Sequence, residues 1–259
     1  MEFEFFCATD TGRSRSNNED SVTADPACAM VVLADGMGGY NAGEVASQMA
    51  TSHIRTELGS WLGQAAANAS DAEIRRAMAL CVDNANRAIF ESAKANPHQA
   101  GMGTTLVMGV FRGEHLWMGH VGDSRGYRLR DGEIAQITRD HSLLQEQIDA
   151  GLISPEQAAF SANKNLVTRA VGVEPSVQLE VHRHEVQPGD LYLLCSDGLS
   201  DMVDDAAMAQ LLRDCDSLEA GAAALVDAAN EAGGRDNISV ILARARPGAT
   251  GRSWWPFRR

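Results

Sequence analysis

Four aspartates in this 259-residue chain stand where apolar runs end or begin. Val31–Val32–Leu33–Ala34 leads into Asp35–Gly36, and Leu191–Tyr192–Leu193–Leu194–Cys195–Ser196 leads into Asp197–Gly198. Leu116–Trp117–Met118–Gly119–His120–Val121–Gly122 leads into Asp123, and Asp236 directly precedes Asn237–Ile238–Ser239–Val240–Ile241–Leu242. One Asp–Gly after a strand is ordinary turn chemistry. Four carboxylates gathered at the ends of buried strands repel one another and resist desolvation, and a shared cation relieves both. Without paired His or Cys ligands, the ion is a hard, oxygen-liking one such as Mg²⁺ or Mn²⁺ rather than zinc. The glycine after Asp35 and Asp197 lets the backbone turn sharply and leaves a carbonyl free to ligate.

A second chemistry lies in the polar, turn-rich stretch Thr9–Asp20. Arg13 and Arg15 precede the acid pair Glu19–Asp20. A guanidinium is a planar fork suited to phosphate oxygens. Beside a carboxylate-held cation, it can hold the same oxyanion that the cation holds, which is an arrangement for phosphoryl transfer.

The elements that must carry these groups follow from periodicity. Met1–Cys7 alternates as a strand, and Met30–Leu33 is a short buried one. Ala46, Ala50, Ile54, Leu58 and Leu62 recur every fourth position and predict a helix over 41–62. Ile74, Met78, Cys81, Ala85 and Ile89 predict a second over 71–94, begun by Ser or Asp and ended at Asn96–Pro97. Strands are expected at Thr104–Phe111, Leu116–Val121 and Gly126–Leu129, with Asp131–Gly132 turning a hairpin into Glu133–Ile137. A short helix over Leu143–Ala150 opens a polar segment, 142–170, read as a mobile flap. Leu191–Cys195 and Asn237–Ala243 are strands, with helices at about 204–213 and 217–232 between them. Without strict β-α-β alternation, this order predicts an α+β fold with sheets packed face to face.

Composition narrows the class. With 35 acidic against 22 basic residues the formal charge is −13, which excludes a nucleic-acid binder with a basic face. The first ten residues carry Glu2 and Glu4 and no basic region before an apolar stretch, so no signal peptide is expected. No apolar run reaches the length of a membrane helix. Cys7, Cys28, Cys81, Cys195 and Cys215 are odd in number and far apart, and are expected as reduced thiols in a cytoplasmic protein. Residues 244–259 differ: they carry five Arg, no acid and Trp254–Trp255–Pro256–Phe257. They read either as a disordered tail or as a docking or membrane-surface anchor.

Taken together, seven short blocks resemble the metal-dependent serine/threonine protein phosphatases, the PPM or type-2C family. They are Asp10–Thr11–Gly12 with Arg15 and Asn18–Glu19–Asp20; Ala34–Asp35–Gly36–Met37–Gly38–Gly39; Gly101–Met102–Gly103–Thr104–Thr105; Gly119–His120–Val121–Gly122–Asp123–Ser124–Arg125; Asp140–His141–Ser142; Ser196–Asp197–Gly198–Leu199; and Asp236–Asn237. They stand in the family's order and cover about residues 5–243. The resemblance implies a central β-sandwich of two antiparallel sheets flanked by pairs of helices, in α-β-β-α layers. It also implies a binuclear Mn²⁺ or Mg²⁺ site at one end of the sheets. By position, Asp35 matches the carboxylate that bridges both ions, and the Gly36 carbonyl a ligand of one. Asp197 and Asp236 match the other direct ligands. Glu19 and Asp20 match acids that hold metal-bound waters and, in part, the metal itself. Arg15 matches the phosphate-binding arginine, and Asp123, with Asp197, matches a third, weaker metal site of bacterial members. Residues 1–243 are then one phosphatase domain with its flap at 142–170, and 244–259 an Arg/Trp-rich tail.

The chemistry implied is hydrolysis of phosphoserine or phosphothreonine. Two divalent ions roughly 3.5–4 Å apart share a water and lower its pKa toward neutrality, and the hydroxide attacks phosphorus in line. Arg15 and the ions neutralise the equatorial oxygens. No cysteine lies in an electropositive motif, which argues against a cysteine nucleophile. The sequence departs from many eukaryotic members at Met37, where they carry a histidine proposed as general acid; Met cannot donate a proton. His141 is then either a proton donor to the leaving group or a structural residue. The expected partners are phosphoserine and phosphothreonine proteins of a Ser/Thr kinase pathway, met by a monomeric, bacterial-type enzyme that binds no nucleic acid. Two other readings remain: a catalytically silent phosphoprotein-binding scaffold, and a hydrolase of small phosphate esters.

Overall fold

Alternation along strands that are apolar on both faces sets the layering of this chain. The computed structural model describes residues 1–38, 42–65, 68–154, 157 and 166–248. Three strands come first, β1 (Glu2–Asp10), β2 (Asp20–Asp25) and β3 (Met30–Met37), then two long helices, α1 (Ala42–Gln64) and α2 (Asp71–Ala95). Five strands follow: β4 (Gly103–Thr104), β5 (Leu106–Arg112), β6 (His115–Val121), β7 (Arg125–Arg130) and β8 (Glu133–Gln136). Helix α3 (Leu143–Asp149) precedes β9 (Glu180–Glu185) and β10 (Leu191–Cys195), and one helical turn, α4 (Asp197–Ser200), follows β10. Helices α5 (Asp205–Arg213) and α6 (Leu218–Glu231) lead to the last strand, β11 (Ile238–Arg246).

The strands form two antiparallel sheets, in the orders β1-β11-β10-β7-β8 and β2-β3-β5-β6-β9, with β4 joined to β3. In β3, Val31 and Leu33 enter the core between the sheets, whereas Met30, Val32 and Ala34 face α1 and α2. In β11, Ile241, Ala243 and Ala245 enter that same core, whereas Ile238, Val240 and Leu242 face α5 and α6. Three stacked cores follow, and four layers, α-β-β-α. Each fully buried aliphatic side chain in them contributes about 1.5–3 kcal/mol. The expected α+β sandwich is the observed one.

The helix expectations hold at their anchors. Ala46, Ala50, Ile54, Leu58 and Leu62 of α1 are all buried. In α2, Ser70 closes a capping box with Glu73, and Ile74, Met78, Cys81, Ala85 and Ile89 are buried. The hairpin between β7 and β8 turns through Asp131 and Gly132, both at positive φ (51° and 85°), the pair of angles a type I′ turn requires. Strands β2 and β9 are edge strands of one sheet whose residues are mostly polar; Val22 and Ala24 of β2 and Val181 of β9 reach the cores, too few for a periodic signal. Strand β11 runs to Arg246, which pairs with Glu2, so the arginine-rich segment drawn from residue 244 begins inside the sheet. The tail anchor (249–259) and most of the flap's middle (155–156 and 158–165) lie outside the described residues. The flap's two ends are described. Leu143 N–H donates to the Leu166 carbonyl, and Ser142 forms a β-bridge with Val167, so the segment leaves and returns at one place.

Candidate active site and metal centre

Every acid singled out in the sequence sits at the same end of the sandwich. Asp20 opens β2 and is the direct cross-strand partner of Asp35 in β3. Asp123 lies two residues past β6, Asp197 begins α4 just after β10, and Asp236 lies two residues before β11. Antiparallel pairing is what brings these ends together: β10 leaves the sheet where β11 enters it, with Cys195 opposite Val240.

Neutral polar groups then fix the backbone of the acids. Asp35 N–H donates to Thr105 Oγ1 (3.1 Å), and the Asp35 carbonyl accepts from Thr105 N–H and Thr104 Oγ1, each at 2.8 Å. Gly36 N–H donates to the Glu19 carbonyl (3.1 Å), and a Cβ at Gly36 would lie 2.1 Å from the Gly43 carbonyl oxygen, so α1 presses on this turn. Ser196 Oγ donates to Asp20 Oδ2 (2.9 Å) and accepts Ser239 N–H (3.0 Å), which ties Asp20 to the other sheet. Asn237 does most to place the N-terminal loop. Its Oδ1 accepts Glu19 N–H (2.8 Å), and its Nδ2 donates to the carbonyls of Thr11 (3.0 Å) and Asn17 (2.8 Å). Nothing in the motif Asp236–Asn237 marks this role, because an Asn has no spacing signature to reveal three bonds to a remote loop. Gly12 is held at φ +79° against the same strand end, where a Cβ would lie 2.2 Å from the Asp236 carbonyl oxygen.

The acids surround a cavity of about 260 Å³ lined by Arg15, Glu19, Asp35, Gly36, Asp123, Asp197 and Asp236, with Met37 and Val167 as its apolar contacts. Asp20 lies beneath it, 9% exposed. A larger cavity, about 560 Å³, runs between β2 and α1, but among the described residues Asp25 is the one carboxylate lining it, so volume does not mark the chemistry here. Burial, followed by repulsion from Asp20, Asp197, Asp123 and Asp236, raises the Asp35 pKa well above the carboxylate range. Burial, followed by the charges of Asp123 and Asp236, pushes Asp197 up to about 8. Burial and then Asp140 raise Asp123 to about 6, and burial also raises Asp20 and Glu19. Asp20 Oδ1 and Asp197 Oδ1 are buried without a hydrogen-bond partner. Repelling, desolvated carboxylates with orphaned oxygens fit divalent cations, which would supply the missing partners and reverse the repulsion. The one cationic side chain lining the cavity among the described residues is Arg15, whose Nη2 donates to Asp236 Oδ2 (2.7 Å).

His141 is set apart from that ring. It does not line the cavity, and both of its ring nitrogens are engaged: Nδ1 accepts Gly122 N–H (3.1 Å) and Nε2 lies 3.2 Å from Glu180 Oε2. Of its two expected roles, the geometry favours the structural one.

A two-sheet sandwich with six acids and one phosphate-suited arginine gathered at one end matches what the resemblance to the metal-dependent phosphatases implies. The chain belongs to the protein phosphatase 2C family, whose model matches residues 9–228. It is 40% identical over 251 residues to the serine/threonine protein phosphatase PstP of Mycobacterium tuberculosis, covering 94% of this chain and 45% of that protein. The chain thus spans about half the length of that relative. It is 38% identical over 245 residues to the serine/threonine phosphatase stp of Listeria monocytogenes, covering 93% of this chain and 95% of that one. The crystal structure of the PstP catalytic domain in complex with two manganese ions superposes with a TM-score of 0.83 at 37% identity, covering 95% of this chain and 99% of that one.

Proposed function

We propose that this chain hydrolyses phosphoserine and phosphothreonine in proteins, opposing a Ser/Thr kinase. The observation that carries the reading is the convergence of Glu19, Asp20, Asp35, Asp123, Asp197 and Asp236 on one end of the sandwich, with Arg15 at the rim of their cavity. Asp35, the Gly36 carbonyl, Asp197 and Asp236 would hold two Mn²⁺ or Mg²⁺ ions, with Glu19 and Asp20 supporting them. Asp123, the largest charge acting on Asp197, supports a third and weaker site. Bound there, the cations supply an activated water and neutralise phosphate charge.

The chain's own residues do the rest. Arg15, half exposed beside the acids, binds the phosphoryl oxygens and orients them for in-line attack. Asp35, held at both backbone groups by Thr104 and Thr105, keeps its carboxylate aimed into the cavity without reorganising. Met37 and Val167 exclude water from one wall. Met37 offers no proton and His141 faces away, so protonation of the leaving alkoxide falls to solvent held by the acids. The setting is a reducing one, the cytoplasm, on the strength of five unpaired thiols. The Arg/Trp-rich segment 244–259 is assigned, in its part beyond β11, to docking on a membrane surface or a protein partner.

The test is release of phosphate from a phosphothreonine peptide with and without Mn²⁺, compared with a free nucleotide at equal concentration. Mn²⁺-dependent turnover of the peptide in preference to the nucleotide is expected. Preference for the nucleotide would replace the substrate class, and tight peptide binding without turnover would mark a scaffold.

A further inference from the structure

The motif Asp140–His141–Ser142 sits outside the acid cavity, yet it grips the loop that carries Asp123 from three directions. Asp140 takes Arg125 through Nε and Nη2 (3.0 and 2.7 Å), fixing the chain two residues beyond Asp123. His141 N–H donates to the Gly122 carbonyl (2.9 Å), and Gly122 N–H donates to His141 Nδ1 (3.1 Å), so one residue holds both backbone groups of the residue before Asp123. Gly122 has no room to shift inward. It stands at φ +102°, and a Cβ there would meet Thr105 at 2.8 Å, the same threonine whose hydroxyl holds Asp35 N–H. On its other side His141 accepts Thr168 N–H at its carbonyl (2.8 Å), and Ser142 bridges to Val167, which lines the cavity.

We propose that His141 is a positioning residue: its Nδ1 sets the Gly122–Asp123 backbone, and so the cation site at Asp123, and couples that site to the returning end of the flap. The inference rests on the reading of Asp123 as a cation ligand. Acceptance at Nδ1 requires the tautomer protonated at Nε2, for which Glu180 is the acceptor (3.2 Å) while also taking His182 Nε2 (2.7 Å); Arg169 Nη1, 3.3 Å from the same nitrogen, can only donate and makes no hydrogen bond to it in this tautomer. The relay therefore runs Glu180 to His141 to Gly122 to Asp123. Carboxylates and backbone groups behind a metal ligand set its orientation in the same manner.

The alternative use of this cluster fails on geometry. His120, His141 and Glu180 have ligand atoms within 4.8 Å of one another, which is close enough to raise the question of a separate metal site. The two imidazoles are stacked, 4.6 Å between centroids and 16° between planes. Ring lone pairs lie in the ring planes, and two imidazoles stacked face to face direct theirs along separate planes rather than toward one ion.

Asn and Gln substitutions separate the two ring nitrogens, since an Asn amide oxygen reaches the position of Nδ1 and a Gln amide reaches that of Nε2. The experiment titrates Mn²⁺ alone into the full chain and counts bound ions from the loss of the free-ion electron paramagnetic resonance signal. Wild type, His141→Asn, His141→Gln and Asp123→Asn are compared, with metal-free melting recorded for each. Expected are a weakest site in His141→Asn within about threefold of wild type and a loss of about ten- to a hundredfold in His141→Gln, the usual range for groups behind a ligand. Asp123→Asn should abolish that site. Equal Mn²⁺ binding by the Asn and Gln variants, whether both intact or both impaired, overturns the positioning role. Wild-type binding by Asp123→Asn would instead remove the cation reading of Asp123, and this inference with it.

Discussion

Arg15 and Asp236, 221 residues apart in the chain, form a 2.7 Å ion pair at the rim of the acid cavity. The other carboxylate oxygen of Asp236 accepts Asn237 N–H (2.8 Å), so both of its oxygens are occupied by donors. A cation held by Asp236 would compete with the guanidinium for the same negative charge and loosen it toward phosphate, so that metal binding and readiness for phosphate would be coupled through this one carboxylate.

Arg15→Ala is accordingly expected to raise KM for a phosphopeptide about ten- to a hundredfold, the equivalent of losing a charged hydrogen bond worth about 1.5–3 kcal/mol. Mn²⁺ affinity should hold or improve, because a competitor for Asp236 is gone. Steady-state kinetics with metal titration reads both. Weaker Mn²⁺ binding in Arg15→Ala would contradict the coupling.

Asn237→Ala tests the loop anchor. Three bonds from a nearly buried side chain are lost, at about 1 kcal/mol net each, so urea unfolding should show about 2–3 kcal/mol of destabilisation. Turnover should fall as well, since Glu19 and Arg15 ride on the released loop. A stability change below about 0.5 kcal/mol, the ordinary surface value, would remove Asn237 from this role.

How much of this was legible beforehand depends on the kind of signal. Asp35, Asp123, Asp197 and Asp236 announced themselves because each breaks an apolar run, and the structure brings all four to one end. The layers followed from strands apolar on both faces, such as Met30–Ala34. Strands β2 and β9 are harder to read, since each is short and mostly polar and its pairing, not its apolar pattern, reveals it. The anchoring by Thr105, Ser196 and Asn237 was equally hidden, because a hydroxyl or amide joining distant segments leaves no periodicity. The same holds for His141, whose Nε2 meets Glu180, 39 residues away.

Metal removal should make stability pH-dependent. Asp123 and Asp197 ionise near 4 in an unfolded chain, whereas in the metal-free fold burial and neighbouring charge raise them to about 6 and about 8. Between those limits the folded state holds more protons than the unfolded one, so stability is fullest below about pH 4 for these groups and declines as pH rises through 6 and 8. Bound cations remove the penalty. The gap in Tm between Mn²⁺-loaded and chelator-stripped protein should therefore widen from pH 5 to pH 8; a gap that stays constant would contradict the crowding of these acids.

On the proposed function, the acids at the end of the sandwich hold the cations that drive phosphoester hydrolysis. The most direct measurement pairs bound Mn²⁺ per chain with phosphothreonine-peptide turnover in wild type, Asp35→Asn and Asp197→Asn. At least two ions bound in the wild type are expected, with fewer in each variant and turnover reduced by 10²-fold or more, on the order of what one main electrostatic group contributes. Wild-type turnover in either variant, or turnover in wild type undiminished by complete chelation, would contradict it.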